Sequence, residues 1–156
     1  MNPLKSIARR ILGLSDSNYN IVASKIGQAY VAALTELSHA KFPDEDLSRI
    51  VEFFDKENQP KDEQALVEIN KILIKVYKPS FNILNDQIFK LRKEISNLNK
   101  QDFTAISYII HECRNNWEMH QARHAGRVIS EINLVTSKLL YRKINPFIVE
   151  ESNDIN

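Results

Sequence analysis

The residues best suited to chemistry lie close together in this chain of 156 residues, between positions 111 and 127. Three of the four histidines, the only tryptophan and the only cysteine fall in that segment. An arginine can hold a phosphate through two N–H bonds, and a histidine can transfer a proton near neutral pH. We therefore expect Arg114 to anchor a phosphate, His120 to transfer a proton and Asn115 to position either group.

This motif, an Arg-Asn followed by four residues and a His, resembles the signature of the HEPN superfamily. The resemblance covers only Arg114 to His120. It implies a small all-α protein built on a long antiparallel helix pair, which cleaves RNA without a metal or other cofactor. It also implies an active site shared across a homodimer, in a toxin or defence factor. We expect His124, Arg123 and Arg127, which follow the motif, to contact the RNA.

The same segment supports a metal-binding alternative. His120 and His124 lie one helical turn apart on one face, a pairing typical of zinc and other divalent metals. The run from His120 to Arg127 resembles the His-x-x-x-His-x-Gly-Gln stretch of DinB-like helical bundles, which bind a metal through three histidines. Arg127 stands where that family has glutamine, and His39 is the candidate for the third ligand.

Helix geometry limits the first hypothesis. Residues six apart on an unbroken helix point about 120° away from each other, so Arg114 and His120 would diverge. The two side chains converge if the helix breaks at Asn115–Asn116, or if a second chain supplies one of them. Gly126 marks another place where this helix could bend.

The composition restricts the fold. With only 3 glycines and 5 prolines, the chain lacks the residues for the tight turns of β-sandwiches and for glycine-rich phosphate loops. One cysteine excludes an internal disulfide framework and a multi-cysteine zinc module. The formal net charge is +1, and no apolar stretch reaches the roughly 18 residues of a membrane span. We predict an all-α protein of the cytoplasm.

Prolines and helix caps divide the chain into helices over residues 17–39, 43–58, 61–77, 80–98 and 102–143. Pro79 is expected to end the third helix, and Asp102 to cap the last. The helices over 80–98 and 102–143 should form a long antiparallel pair, covered by the shorter N-terminal helices. We expect one domain over 1–147 and a flexible acidic tail over 148–156.

Both long helices carry a stripe of residues at intervals of three or four. In the first they form a heptad seam, which consists of Leu84, Ile88, Leu91, Ile95 and Leu98. In the second the expected core stripe consists of Phe103, Ile106, Ile110, Cys113, Trp117, His120, His124 and Val128. The seam could instead bind a protein partner, which gives a third hypothesis, a non-catalytic adaptor or assembly protein.

The first residues of the chain also follow an amphipathic pattern. Leu4, Ile7, Ile11 and Leu14 share one helical face and are interspersed with three basic residues. We interpret this segment as a structural N-terminal helix, and a targeting or membrane-surface helix is the alternative.

Overall fold

The computed structural model describes residues 16–55, 63–131 and 137–148, and the regular elements in these ranges are all α-helices. They are α1 (Asp16–Ser38), α2 (Asp44–Asp55), α3 (Glu63–Lys90), α4 (Arg92–Ser96), α5 (Lys100–Glu131) and α6 (Ser137–Ile144). The all-α prediction is confirmed. The predicted N-terminal helix, and the acidic tail after Ile148, lie outside the described residues. No helix among the described residues has the length and apolar character needed to cross a bilayer.

The two longest described helices, α3 and α5, run antiparallel. Tyr77 of α3 contacts His124, and Ser80 contacts Trp117, so rising residue numbers on α3 meet falling numbers on α5. The predicted antiparallel pair is therefore present, although its boundaries differ from the prediction.

Pro79 does not end a helix, which corrects the predicted break. It lies inside α3, where its missing N–H leaves the Lys75 carbonyl without its usual partner in the helix. Tyr77, Ser80 and Leu84 are buried on either side of Pro79 and hold this part of α3 in the core. The predicted 80–98 helix is the second half of α3 followed by α4. The predicted 102–143 helix is α5 and α6, and residues 132–136 between them lie outside the described ranges.

Helix α1 packs against both members of the long pair. The Ser80 hydroxyl of α3 donates to the Ala33 carbonyl of α1 at 2.5 Å and accepts from Nε1 of Trp117 in α5 at 2.8 Å. One buried hydroxyl thus links three helices. Near the start of α1, Val22 and Ile26 belong to a second core cluster with Leu91, Ile95, Leu98 and Ile106.

The start of α5 is capped by Asn99. Asp102 was predicted as the cap from the sequence, and this prediction is wrong. Oδ1 of Asn99 accepts the backbone N–H of Asp102 at 2.8 Å, and its Nδ2 donates to the Asp102 carboxylate at 3.1 Å. This reciprocal arrangement satisfies an N–H that has no partner within the helix.

The C-terminal segment packs on α5 through a buried polar network. The Gln121 amide donates to the Tyr141 hydroxyl at 2.7 Å, and the Asn145 amide donates to the Gln121 carbonyl at 2.9 Å. All three side chains are buried, so each hydrogen bond offsets part of a desolvation penalty. Two residues further on, Phe147 packs against Trp117 and Phe81.

Candidate functional site

The buried stripe of α5 differs from the expected one in its second half. It passes through Ile106, Trp117, Gln121, Ala125 and Ile129. Strict alternation of three and four has a period of 3.5 residues, whereas the α-helix has 3.6, so the two patterns separate over several turns. As a result His120 is exposed and Gln121 is buried in its place. At the other end of the expected stripe, Phe103 is 45% exposed. The expectation that His120 lies on the core stripe is wrong.

Arg114 and His120 do not share a cleft within one chain. Helix α5 continues through Asn115–Asn116 and through Gly126, so neither position breaks it. The two side chains therefore keep the separation of about 120° that an unbroken helix imposes. Arg114 lines a groove, and His120 lies on a different face of the helix.

The groove that Arg114 lines is open to solvent and has a volume of about 740 Å³. Helices α3 and α4 form one wall and α5 forms the other. Its apolar lining consists of Ile88, Phe89, Ile95, Phe103 and Ile110. Its charged and titratable lining consists of Asp86, Arg92, His111 and Arg114. The groove therefore combines aromatic surface with a small excess of positive charge.

His111 reaches this groove beside Arg114, three residues away on the same face of α5. Nδ2 of Asn115, on the next turn, lies 3.0 Å from Nε2 of His111. Since an amide presents either its NH₂ group or its oxygen, Asn115 can hold either neutral tautomer of the ring. Two of the three predicted catalytic residues, Arg114 and Asn115, are thus assembled with a different histidine.

A second arginine enters the groove from the opposite wall. The Arg92 guanidinium lies over the ring of Phe89, with its Cζ atom 4.4 Å from the ring centroid. This distance is suitable for a cation–π interaction. The arginine thus holds its charge beside an aromatic ring that is itself 63% exposed.

His124 has a structural environment. Its Nδ1 lies 2.6 Å from the Tyr77 hydroxyl, and the ring also bonds to the backbone of Ala40. Burial, and then the positive charge of Arg127, lower the pKa of His124. Burial and Arg127 thus favour the neutral ring, and its contacts with Tyr77 and Ala40 hold it between α3 and the segment after α1.

The metal-binding alternative finds no ligand set in the described ranges. No three His, Cys, Asp or Glu side chains are grouped there as a metal site requires. His39 and His120 are exposed, and His124 is already engaged by Tyr77 and Ala40. In the described ranges, these histidines are not grouped as the three-histidine arrangement of the DinB resemblance would require.

The remaining candidate residues on α5 lie outside the groove. Arg123 and Arg127 are exposed on α5, and neither lines the groove. Cys113 is half-buried between the two core clusters, and burial raises the pKa of its thiol. Because a raised pKa disfavours the thiolate, this environment is that of a packing residue and not of a nucleophile.

The heptad seam is part of the protein's own core and does not form the partner surface of the alternative hypothesis. Leu84, Leu91, Ile95 and Leu98 are all buried within the chain. Ile88 is half-buried at the edge of the groove. The surface on which the adaptor hypothesis depended is therefore covered.

His111, Arg92 and Phe89 line the groove but were not predicted as site residues. The spacing of His111 to Arg114 carries a signal, since residues three apart share a helix face. Arg92 and Phe89 lie on the other wall, and only the packing of α3 and α4 against α5 brings them to the groove.

Comparisons of the chain with protein-family models, curated proteins and solved structures give no match.

Proposed function

We propose that the protein is a metal-independent endoribonuclease of HEPN-like type, whose active site is the groove between α3, α4 and α5. One observation carries this proposal: Arg114 and His111 line the same groove one turn apart, and Asn115 is hydrogen-bonded to the histidine. In the proposed site His111 takes the role that the motif suggested for His120.

The proposed reaction is attack of a ribose 2′-oxygen on the adjacent phosphorus. His111 accepts the proton of the 2′-hydroxyl as the new O–P bond forms. Arg114 holds the non-bridging oxygens and stabilises the charge that develops on them. The bond from phosphorus to the 5′-oxygen then breaks and that oxygen takes a proton from a water molecule, while His111 gives its proton to the hydroxide that remains. The products are a 2′,3′-cyclic phosphate and a 5′-hydroxyl end.

Asn115 is a positioning residue in this scheme. Its contact with Nε2 of His111 fixes the orientation of the ring and assigns the proton transfer to Nδ1, the other ring nitrogen. A cytoplasmic toxin or defence factor is the setting that the HEPN resemblance suggests for such an activity, and we extend the proposal to it.

The test is cleavage of an end-labelled single-stranded RNA by the full chain in the presence of EDTA. We expect products with 2′,3′-cyclic phosphate ends, and losses of about 10²- to 10⁴-fold for His111→Ala and Arg114→Ala. His120→Ala is the matched control, an exposed histidine of the same helix outside the groove, and should keep full activity. An inactive parent protein, or undiminished cleavage by His111→Ala, would refute the proposal.

A further inference from the structure

Phe89 is unusual because it is a large apolar side chain left in solvent. It is 63% exposed, although it lies in the last turn of α3 beside buried core residues. Arg92 covers part of the ring and leaves the rest open to the groove. An aromatic ring beside a guanidinium is a surface on which a nucleic-acid base can stack.

The opposite wall carries a second exposed aromatic ring. Phe103, near the start of α5, is 45% exposed and lines the same groove. Two phenylalanines thus face the groove from different helices, and Arg92 and Arg114 supply positive charge along it. Aromatic rings combined with cations suit bases and phosphates respectively, which are the two parts of a nucleotide chain.

The exposed rings of the groove select unpaired bases. A base inside a duplex is already stacked on its neighbours and paired, so its face is not available to Phe89 or Phe103. The base of an unpaired nucleotide can stack on an exposed aromatic ring.

We infer that Phe89 and Phe103 form a base-stacking slot, which restricts the groove to single-stranded nucleic acid. This inference rests on the proposed function and names its substrate class. In the slot a base stacks on Phe89 or Phe103, and the adjoining phosphates contact Arg92 and Arg114.

The test measures binding separately from cleavage. A fluorescently labelled DNA strand of about eight nucleotides, which has no 2′-hydroxyl for the proposed attack, is titrated with the full chain by anisotropy. The same sequence is then titrated as a blunt duplex. We expect tighter binding of the single strand, and a loss of about 5- to 150-fold in that affinity for Phe89→Ala.

Two variants serve as controls. Phe89→Trp keeps a stacking surface and should retain the affinity of the parent chain. Tyr108→Ala removes an aromatic ring that is 65% exposed on α5 but does not line the groove, so it should leave binding unchanged.

The outcomes separate the two proposals. Preferential binding of the single strand without RNA cleavage would support the slot and refute the endoribonuclease. Cleavage without strand preference, or equal effects of Phe89→Ala and Tyr108→Ala, would overturn the slot alone.

A further prediction concerns salt: Arg114→Ala should reduce the salt dependence of binding by about one phosphate contact, and Phe89→Ala should not.

Discussion

The phenol oxygen of Tyr77 lies 2.6 Å from Nδ1 of His124, and this contact joins the two longest described helices. Tyr77 is fully buried, and its burial raises the pKa of the phenol, so the hydroxyl remains protonated and donates to the ring. His124, which the sequence analysis gave as a candidate metal ligand, therefore helps to hold α3 against α5.

This contact predicts that the folded state is less stable in mild acid. Burial and Arg127 lower the pKa of His124 below its ordinary value of 6.5, so the unfolded chain binds a proton more readily than the folded chain. The contribution of His124 is complete above pH 6.5 and is lost as the pH falls through 6.5 towards the lower folded pKa. In urea denaturation between pH 5 and 8, the free energy of unfolding should depend on pH with a slope that corresponds to the uptake of at most about one proton.

Two variants assign this slope to its source. His124→Gln cannot titrate and should flatten the dependence between pH 5 and 7, whereas His120→Gln changes an exposed histidine and should preserve it. If His124→Gln keeps the full slope of the parent chain, another group is responsible.

Those parts of the fold that depend on neighbouring residues were predictable. Helix α1 was expected over 17–39 and spans Asp16–Ser38, and α2 begins directly after Pro43, where acidic residues favour the first turn. These signals act through the local backbone, so they can be read from a short window of sequence.

Those parts that depend on distant partners could not be predicted. Pro79 lies within α3 because the next residue, Ser80, is buried and hydrogen-bonded to both α1 and α5. Gln121 is buried because Tyr141 and Asn145, some twenty residues later, satisfy its amide. A core stripe is predicted from apolar residues, so Gln121 is left out of it as long as the partners of its amide are unknown.

The residues of the candidate site on α5 were partly predictable, whereas those on the opposite wall depend on distant packing and were not. Arg114 and Asn115 were identified from their chemistry; Arg114 lines the groove, and Asn115 contacts His111, which lines it as well. Matching the motif selected His120, six residues from the arginine, although His111 shares the face of Arg114. The opposite wall, with Phe89 and Arg92, comes from helices whose packing the sequence did not specify.

Replacing Ser80 should destabilise the protein more than its size suggests. Ser80→Ala removes the hydrogen bond to the Ala33 carbonyl and leaves Nε1 of Trp117 buried without its acceptor. We expect a loss of about 1–3 kcal/mol in the free energy of unfolding, measured by urea denaturation. Ser96→Ala is the control, since that hydroxyl is exposed and bonds only to the Lys93 carbonyl one turn earlier, and its effect should stay within about 0.5 kcal/mol. Equal effects of the two substitutions would contradict this account.

Gly126→Ala should stabilise the protein. Gly126 lies inside α5, and a Cβ atom placed there would meet nothing within 4 Å. Alanine restricts the unfolded chain and favours the helix, so we expect a gain of about 0.5–1 kcal/mol in the free energy of unfolding. Gly27→Ala, in an equally open position of α1, should give a similar gain. A loss of stability or of RNA cleavage in Gly126→Ala would instead indicate that the helix must bend at this residue.

Mixing two inactive variants should distinguish a site within one chain from a site shared across a homodimer. Arg114 and His111 line the same groove of one chain, so a mixture of Arg114→Ala and His111→Ala proteins contains no complete groove, whatever its oligomeric state. We expect no recovery of RNA cleavage after the two are unfolded together and refolded, with refolded parent protein as the positive control. Recovery in this mixture would place the two residues in different chains. If instead His120→Ala is inactive and is complemented by Arg114→Ala, then His120 acts on the Arg114 of a second copy, as the HEPN resemblance implies, and the assignment to His111 is wrong.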